Sequence, residues 1–204
     1  MQRSDYEPKK LPTQARSRLT YAAMLQATVQ VLLERGYAQL TTNQVAEVAG
    51  VSIGTLYEYF PHKKALVATA VGAQIDELTQ DVLGELRKAL RLNRSPHEAT
   101  VTLIHALAKA LEVRRDIVRI GLDEVPFFWE IPKARHHVRR LMRIARRAQL
   151  HTRVPTRIPG LNERSWVLVT MVWLVLVQNA IHRPRHLDGE RVVAHLAEMI
   201  SRSL

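Results

Sequence analysis

Cysteine is absent from all 204 residues, which removes disulfides and thiolate metal sites at once. A reducing cytoplasm is the natural setting for such a chain. Also missing are an H-E-x-x-H pair, an E-x-x-H pair, a glycine-rich phosphate loop and a G-x-S-x-G elbow. His182 and His186 have i,i+4 spacing, but Pro184 between them spoils the helical face such a pair needs, and the adjacent His136 and His137 diverge on a helix. No catalytic residue, metal ligand or cofactor is therefore assigned, and the chain is not expected to be an enzyme. A helical enzyme, the reading furthest from the sequence, would need a constellation that is not found.

The N-terminal MQRSDYEPKKLPTQ has no apolar core of the kind a signal peptide carries. No stretch reads as a convincing strand, and no internal repeat is found. The most apolar run, Ser165 to Ile181, falls short of the roughly twenty residues a membrane span needs, and Thr170, Gln178 and Asn179 interrupt it. A helix apolar nearly all round is instead buried in a core or against a partner. Acidic residues are scarce, 19 against 30 Lys and Arg, for a formal charge of +11. A polyanionic partner follows, nucleic acid first. With 47% hydrophobic residues the chain can bury a core, as one large domain or two small ones.

The most informative stretch is TTNQVAEVAGVSIGTLYEYFPHKKAL, from Thr41 to Leu66. Thr41 and Gln44 have capping-box spacing, and Val45, Val48 and Ala49 make an apolar face behind them. Gly50 stands where the first helix must stop, since glycine reaches left-handed angles cheaply. Ser52 can cap a second helix that turns Ile53 and Leu56 inward, closed by Phe60, and Pro61 opens a third as a first-turn proline. Two short helices about a glycine turn form a helix-turn-helix, whose second helix enters the DNA major groove. Packing outward from that core leaves Ser52, Gly54, Thr55 and Tyr57 on the exposed face, where small groups allow deep entry and threonine offers a hydroxyl or a methyl to a base edge. Tyr57, Tyr59 and Lys63 suit phosphates, and the helix N-terminus after Pro61 adds backbone donors. Lys64, a cation at a helix N-terminus, is best tolerated beside a phosphate.

These residues resemble the DNA-binding end of the tetracycline-repressor (TetR) family. That family shows a Thr-rich helix start, an A-G-V-S-like turn, T-L-Y-x-Y-F and then P-x-K-x-A-L, here Thr41–Thr42, Ala49 to Ser52, Thr55 to Tyr57, Tyr59–Phe60 and Pro61, Lys63, Ala65, Leu66. Lys64 departs from it, standing where the family often has an acid. The resemblance covers roughly residues 14 to 70, and adds Thr42 and Asn43 as phosphate contacts. It implies an all-α fold, with residues 13–66 as helix-turn-helix domain and residues 67–204 as effector-binding and dimerisation domain. Residues 1–12, with Lys9 and Lys10 beside two prolines, read from composition as a flexible basic arm, either a disordered tail or an arm touching phosphates or the minor groove. The resemblance implies further a homodimer on palindromic double-stranded operator DNA, and repression relieved by a small molecule that shifts the Pro61–Leu92 helix. The same fold used without a ligand, as an architectural or partner-regulated DNA binder, is the alternative.

Within the head, Thr13 to Gly36 reads as a first helix, with Arg16 and Arg18 near its start either approaching DNA or solvated. Beyond it, Ser95, Pro96 and Glu98 start another helix with a cap, a first-turn proline and capping-box spacing, and a break is expected near Arg115. Gly121 and Pro126 bound a short piece, and Pro132 starts a helix towards Leu150. Residues 151–160 read as a loop, and Asp188 caps a last helix. Phe127, Phe128 and Trp129 either line an effector cavity or pack a core. Trp166, Val169, Val172, Trp173 and Leu176, with Val193, Leu196 and Ile200, form the expected dimer surface, two helices from each protomer making a four-helix bundle. Residues 133–157 carry Lys133, Arg135, Arg139, Arg140, Arg143, Arg146, Arg147, Arg153 and Arg157 with no acid. That segment is a solvated face, a site for an anionic effector, or a non-specific DNA or membrane contact. The effector itself is anionic or hydrophobic.

Overall fold

The structure is a computed structural model that describes residues 5–92, 95–137, 139–140, 143, 161–183 and 185–203. It is all-α, with no strand among the described residues. The helices are α1 (Ala15–Gln39), α2 (Thr42–Val48), α3 (Ile53–Tyr59), α4 (Lys63–Arg91), α5 (Pro96–Val113), α6 (Arg115–Asp123), α7 (Leu161–His182) and α8 (Gly189–Ser203). Phe128–Glu130 forms a 3₁₀ turn, and residues 132–137 are helical. The expected continuation to Leu150, the 151–160 loop and Arg146, Arg147, Arg153 and Arg157 lie outside the described residues.

The chain forms two compact units. One comprises Met1–Asp76 and Asp116–Arg135, the other Glu77–Arg115 and His136–Leu204. The first is larger than the expected 13–66 head, because α6 and the turn after it share its core. Met24, Val31 and Leu32 of α1 meet Val45, Leu56 and Phe60 of the helix-turn-helix, and Leu66, Val67 and Val71 of α4 meet Ile117, Ile120, Phe127, Phe128 and Ile131. Apolar spacing placed most of these residues inward, with two exceptions. Val48 and Ile53 are exposed, and Ala46 takes the buried place on α2.

Local signals set the boundaries. Thr41 and Gln44 make the capping box, Ser52 accepts from the Thr55 N–H at 3.0 Å, and Ser95 and Glu98 make a second box. Gly50 has φ 66°, the left-handed angle its position requires. At Gly36 (φ 72°) the helical path of α1 is broken, and the freed Tyr37 N–H donates to the Glu124 carboxylate at 3.1 Å. Pro61 lies outside α4 rather than in its first turn. The cap there is His62, whose Nδ1 accepts from the Ala65 N–H at 3.2 Å.

In the second unit α5 packs on α7 and α8, and α7 on α8. Ile104, Leu107 and Leu111 of α5, Leu176, Val177 and Ala180 of α7 and Val193, Leu196 and Ile200 of α8 are all buried in this unit. Arg114 closes the end of α5 with Asp81 at 2.8 Å. No helix among the described residues is long and apolar enough to cross a membrane.

Candidate nucleic-acid interface

Helix α3 is only seven residues long, too short to persist alone in water. Its shape is imposed by the Ser52 cap, by Leu56 buried beneath it and by α2 on one side. That anchoring turns Ser52, Gly54 and Tyr57 outward, with Thr55 half-buried between them. Ser52 Oγ and Thr55 Oγ1 lie 2.9 Å apart, so the cap also fixes the threonine hydroxyl. Asn43 is exposed at the start of α2, and the neighbouring Thr42 hydroxyl lies 3.1 Å from the Tyr57 phenol. Two hydroxyl contacts, Thr42 with Tyr57 and Ser52 with Thr55, thus tie together four of the residues expected to meet DNA.

Three other residues expected to meet DNA are engaged by the protein itself. Tyr59 is 7% exposed, its ring edge-on to Tyr21 at 5.5 Å. It points inward because seven residues make two turns of helix, and the turn after Leu56 brings this position back to the core. Lys63 donates to the carbonyls of Tyr37 at 2.5 Å and Ala38 at 3.3 Å, with its ammonium 4.4 Å from the Tyr37 ring centroid. Partial burial lowers its pKa. Lys64 lies over the rings of Tyr6 (4.7 Å) and Phe127 (5.4 Å), and its pKa is raised, first by the Tyr6 hydroxyl. The charge expected to want a phosphate at the start of α4 is satisfied by aromatic faces.

From residue 5 onward the expected arm lies against the same unit. Tyr6 stacks on Phe127 at 5.4 Å and its hydroxyl bonds to Glu130, which raises the phenol's pKa. Lys10 pairs with Glu58 at 2.8 Å. Composition marked this segment only as a basic arm; its partners are distant in sequence and could not be read from it. Tyr21, half-buried against the rings of Tyr59 and Phe60, has its phenol pushed up to about 12 by desolvation.

Phe127 and Phe128 are core residues of the first unit, and Trp129 is exposed beside them. Leu176, Val193, Leu196 and Ile200 are buried within the second unit and are not surface for a partner. Trp166 is 55% exposed, and Val169, Val172 and Trp173 are half-buried, the last with its ring 6.1 Å from His137. The outer face of α7 instead carries Trp166, Val167, Met171 and Leu174. Sequence spacing alone could not find this face, because α7 is apolar on all sides. Of the basic segment, Lys133 pairs with Asp76, while Arg135, Arg139, Arg140 and Arg143 are exposed. Among the described residues no three His, Asp or Glu side chains are placed to hold a metal ion.

The second unit contains an open cavity of about 960 Å³. Its walls include His105, Lys109 and Glu112 of α5, with Asn179, Arg183 and Glu190 opposite. Asn179 Nδ2 donates to the Gly189 carbonyl at 3.3 Å, while its Oδ1 is buried with no hydrogen-bond partner among the described residues.

Residues 24–70 match the family model described as bacterial regulatory proteins, tetR family. The chain is 30% identical over 117 residues to the uncharacterized HTH-type transcriptional regulator YvkB of Bacillus subtilis, covering 56% of this chain and 57% of that protein. It is 31% identical over 103 residues to a fatty acid metabolism regulator protein of the same organism, covering 47% of this chain and 53% of the relative. It thus spans about half the length of these curated relatives. Its fold is similar to that of the fatty acid degradation regulator FadR from Bacillus halodurans, with a TM-score of 0.67 at 16% identity over 93% of this chain and 96% of that one. The chain is thus similar to the tetR family of bacterial regulatory proteins at residues 24–70, on an all-α fold like that of the solved structure.

Proposed function

We propose that the protein is a sequence-specific DNA-binding transcriptional regulator, a cytoplasmic repressor that binds palindromic operator DNA as a homodimer and is released by a small molecule. The observation that carries the reading is the row of exposed Ser52, Gly54 and Tyr57 with half-buried Thr55 among them, on a helix held by its cap and core. Small side chains at the centre of that row let the helix approach base edges closely, and Tyr57 with Thr42 and Asn43 reaches the flanking phosphates. One such helix buries little surface, so two related heads are needed for specific affinity.

The dimer reading attaches to the outer face of α7. Val167, Met171 and Leu174 recur at i, i+4 and i+7 with Trp166 beside them, an apolar stripe that water disfavours. The effector reading attaches to the 960 Å³ cavity of the second unit, whose size suits a small molecule and whose lining carries charges of both signs. Selection of duplexes from a random-sequence pool tests the core of the proposal. The expected product is a palindrome bound by two protomers; no enrichment over the input pool would overturn it. Native mass spectrometry followed by extraction tests the effector reading. A dimer carrying a co-purified molecule supports it, and a clean dimer shifts weight to the same fold working without a ligand.

A further inference from the structure

The last turn of a helix leaves its carbonyls without intrahelical donors. In α3 two of them are served from the N-terminal segment. The Lys9 N–H donates to the Tyr59 carbonyl at 2.7 Å, and its ammonium donates to the Tyr57 carbonyl at 2.8 Å. Lys10 takes the residue between, pairing with Glu58 at 2.8 Å while its ammonium lies 4.8 Å from the Tyr59 ring centroid. Three consecutive residues of the recognition helix are thus held by two lysines, both placed where cations favour the helix dipole. At its other end the segment is anchored by Tyr6, which stacks on Phe127, bonds to Glu130 and receives Lys64 on its ring.

We propose that residues 6–10 are a positioning strap, in which Lys9 and Lys10 hold the last turn of α3 at the angle that presents Tyr57, and Tyr6 fixes the strap to the Phe127–Glu130 turn. The proposal rests on the DNA-binding reading of α3 and assigns these lysines a role different from that of a basic arm on phosphates. The two roles differ in sign at Glu58. A carboxylate beside DNA repels it, so a phosphate-binding arm gains affinity when Glu58 is removed. A strap loses it, because Lys10 has lost its hold.

Binding of Lys10→Ala, Glu58→Ala and the double variant is measured by fluorescence anisotropy at several salt concentrations, on a duplex selected by the wild-type protein from a random pool. Each single variant is expected to weaken binding by about three- to fivefold, the scale of one exposed ion pair. The double variant is expected to be no weaker than either single, with the salt slope unchanged and Lys10→Arg restoring affinity. Tighter binding by Glu58→Ala with a shallower salt slope in Lys10→Ala would overturn the strap in favour of a phosphate contact. Amide exchange gives a readout without DNA. Tyr6→Ala is expected to speed exchange of the α3 amides, and unchanged protection also overturns the proposal. If the wild-type protein selects no duplex, the DNA reading falls, and exchange alone decides whether the strap holds α3.

Discussion

The Lys63 ammonium closes the C-terminal end of α1: it donates to the Tyr37 carbonyl at 2.5 Å and lies against the ring of the same residue. Two helices that share no sequence neighbourhood are locked by one cation. Replacing Lys63 with Met keeps the aliphatic stem and removes the donor. The expected result is a loss of about 1–2 kcal/mol in stability, discounted for partial exposure of the bond, read by urea denaturation. A phosphate role alone would leave stability unchanged and flatten the salt dependence of DNA binding.

Tyr57 is exposed and contributes little to the core, so Tyr57→Ala should cost DNA affinity by roughly 1–3 kcal/mol without loss of helix. Anisotropy on the selected duplex and circular dichroism together check this. Lost helicity would mean that the ring supports the fold rather than the contact.

The turn of the helix-turn-helix depends on Gly50 at φ 66°. A Cβ there meets no atom within 4 Å, so any cost of Gly50→Ala is backbone strain alone. That cost is roughly 1–2 kcal/mol, and Ser52→Ala should cost about 1 kcal/mol through the lost cap. Thermal melts of both variants test the two values.

Leu174 and Leu176 lie two residues apart on α7 with opposite fates, 55% and 1% exposed. Leu174→Glu should leave a folded monomer, and Leu176→Glu should disrupt folding of the second unit. Light scattering and circular dichroism distinguish the outcomes. A folded dimer carrying Leu174→Glu would refute the assigned face.

The Lys10–Glu58 pair gives a pH signature. The hydrogen bond from Lys10 holds the Glu58 carboxyl below its ordinary 4.5, and the same bond holds Lys10 above its ordinary 10.5. A depressed carboxylate contributes stability present above its ordinary value and lost as pH falls through the folded one; a raised lysine contributes below its ordinary value and loses it as pH rises through the folded one. The pair is therefore complete between those limits and fails first in acid. Carboxyl NMR titration should place Glu58 below 4.5, and Lys10→Ala should return it to the ordinary range.

Much of the head was legible because its determinants are local. A threonine three residues before a glutamine, a glycine at a helix end and a serine before the next helix act within one or two turns, and the backbone obeyed them at Thr41, Gly50 and Ser52. Charge was less legible. Lys63, Lys64 and Lys10 are alike as letters, yet one caps a helix, one lies on aromatic rings and one pairs with an acid 48 residues away.

The sequence by itself determined an all-α chain and the caps and boundaries of most of its helices, because caps, glycine angles and 3.6-residue periodicity are short-range. Tertiary structure alone decided that Tyr59 turns inward, that Phe127 and Phe128 join the core of the first unit, and that α7 buries Leu176 while exposing Leu174. A helix apolar on every side has no preferred inward face until neighbours exclude water from one of them. A cation likewise takes whichever partner the fold brings within reach.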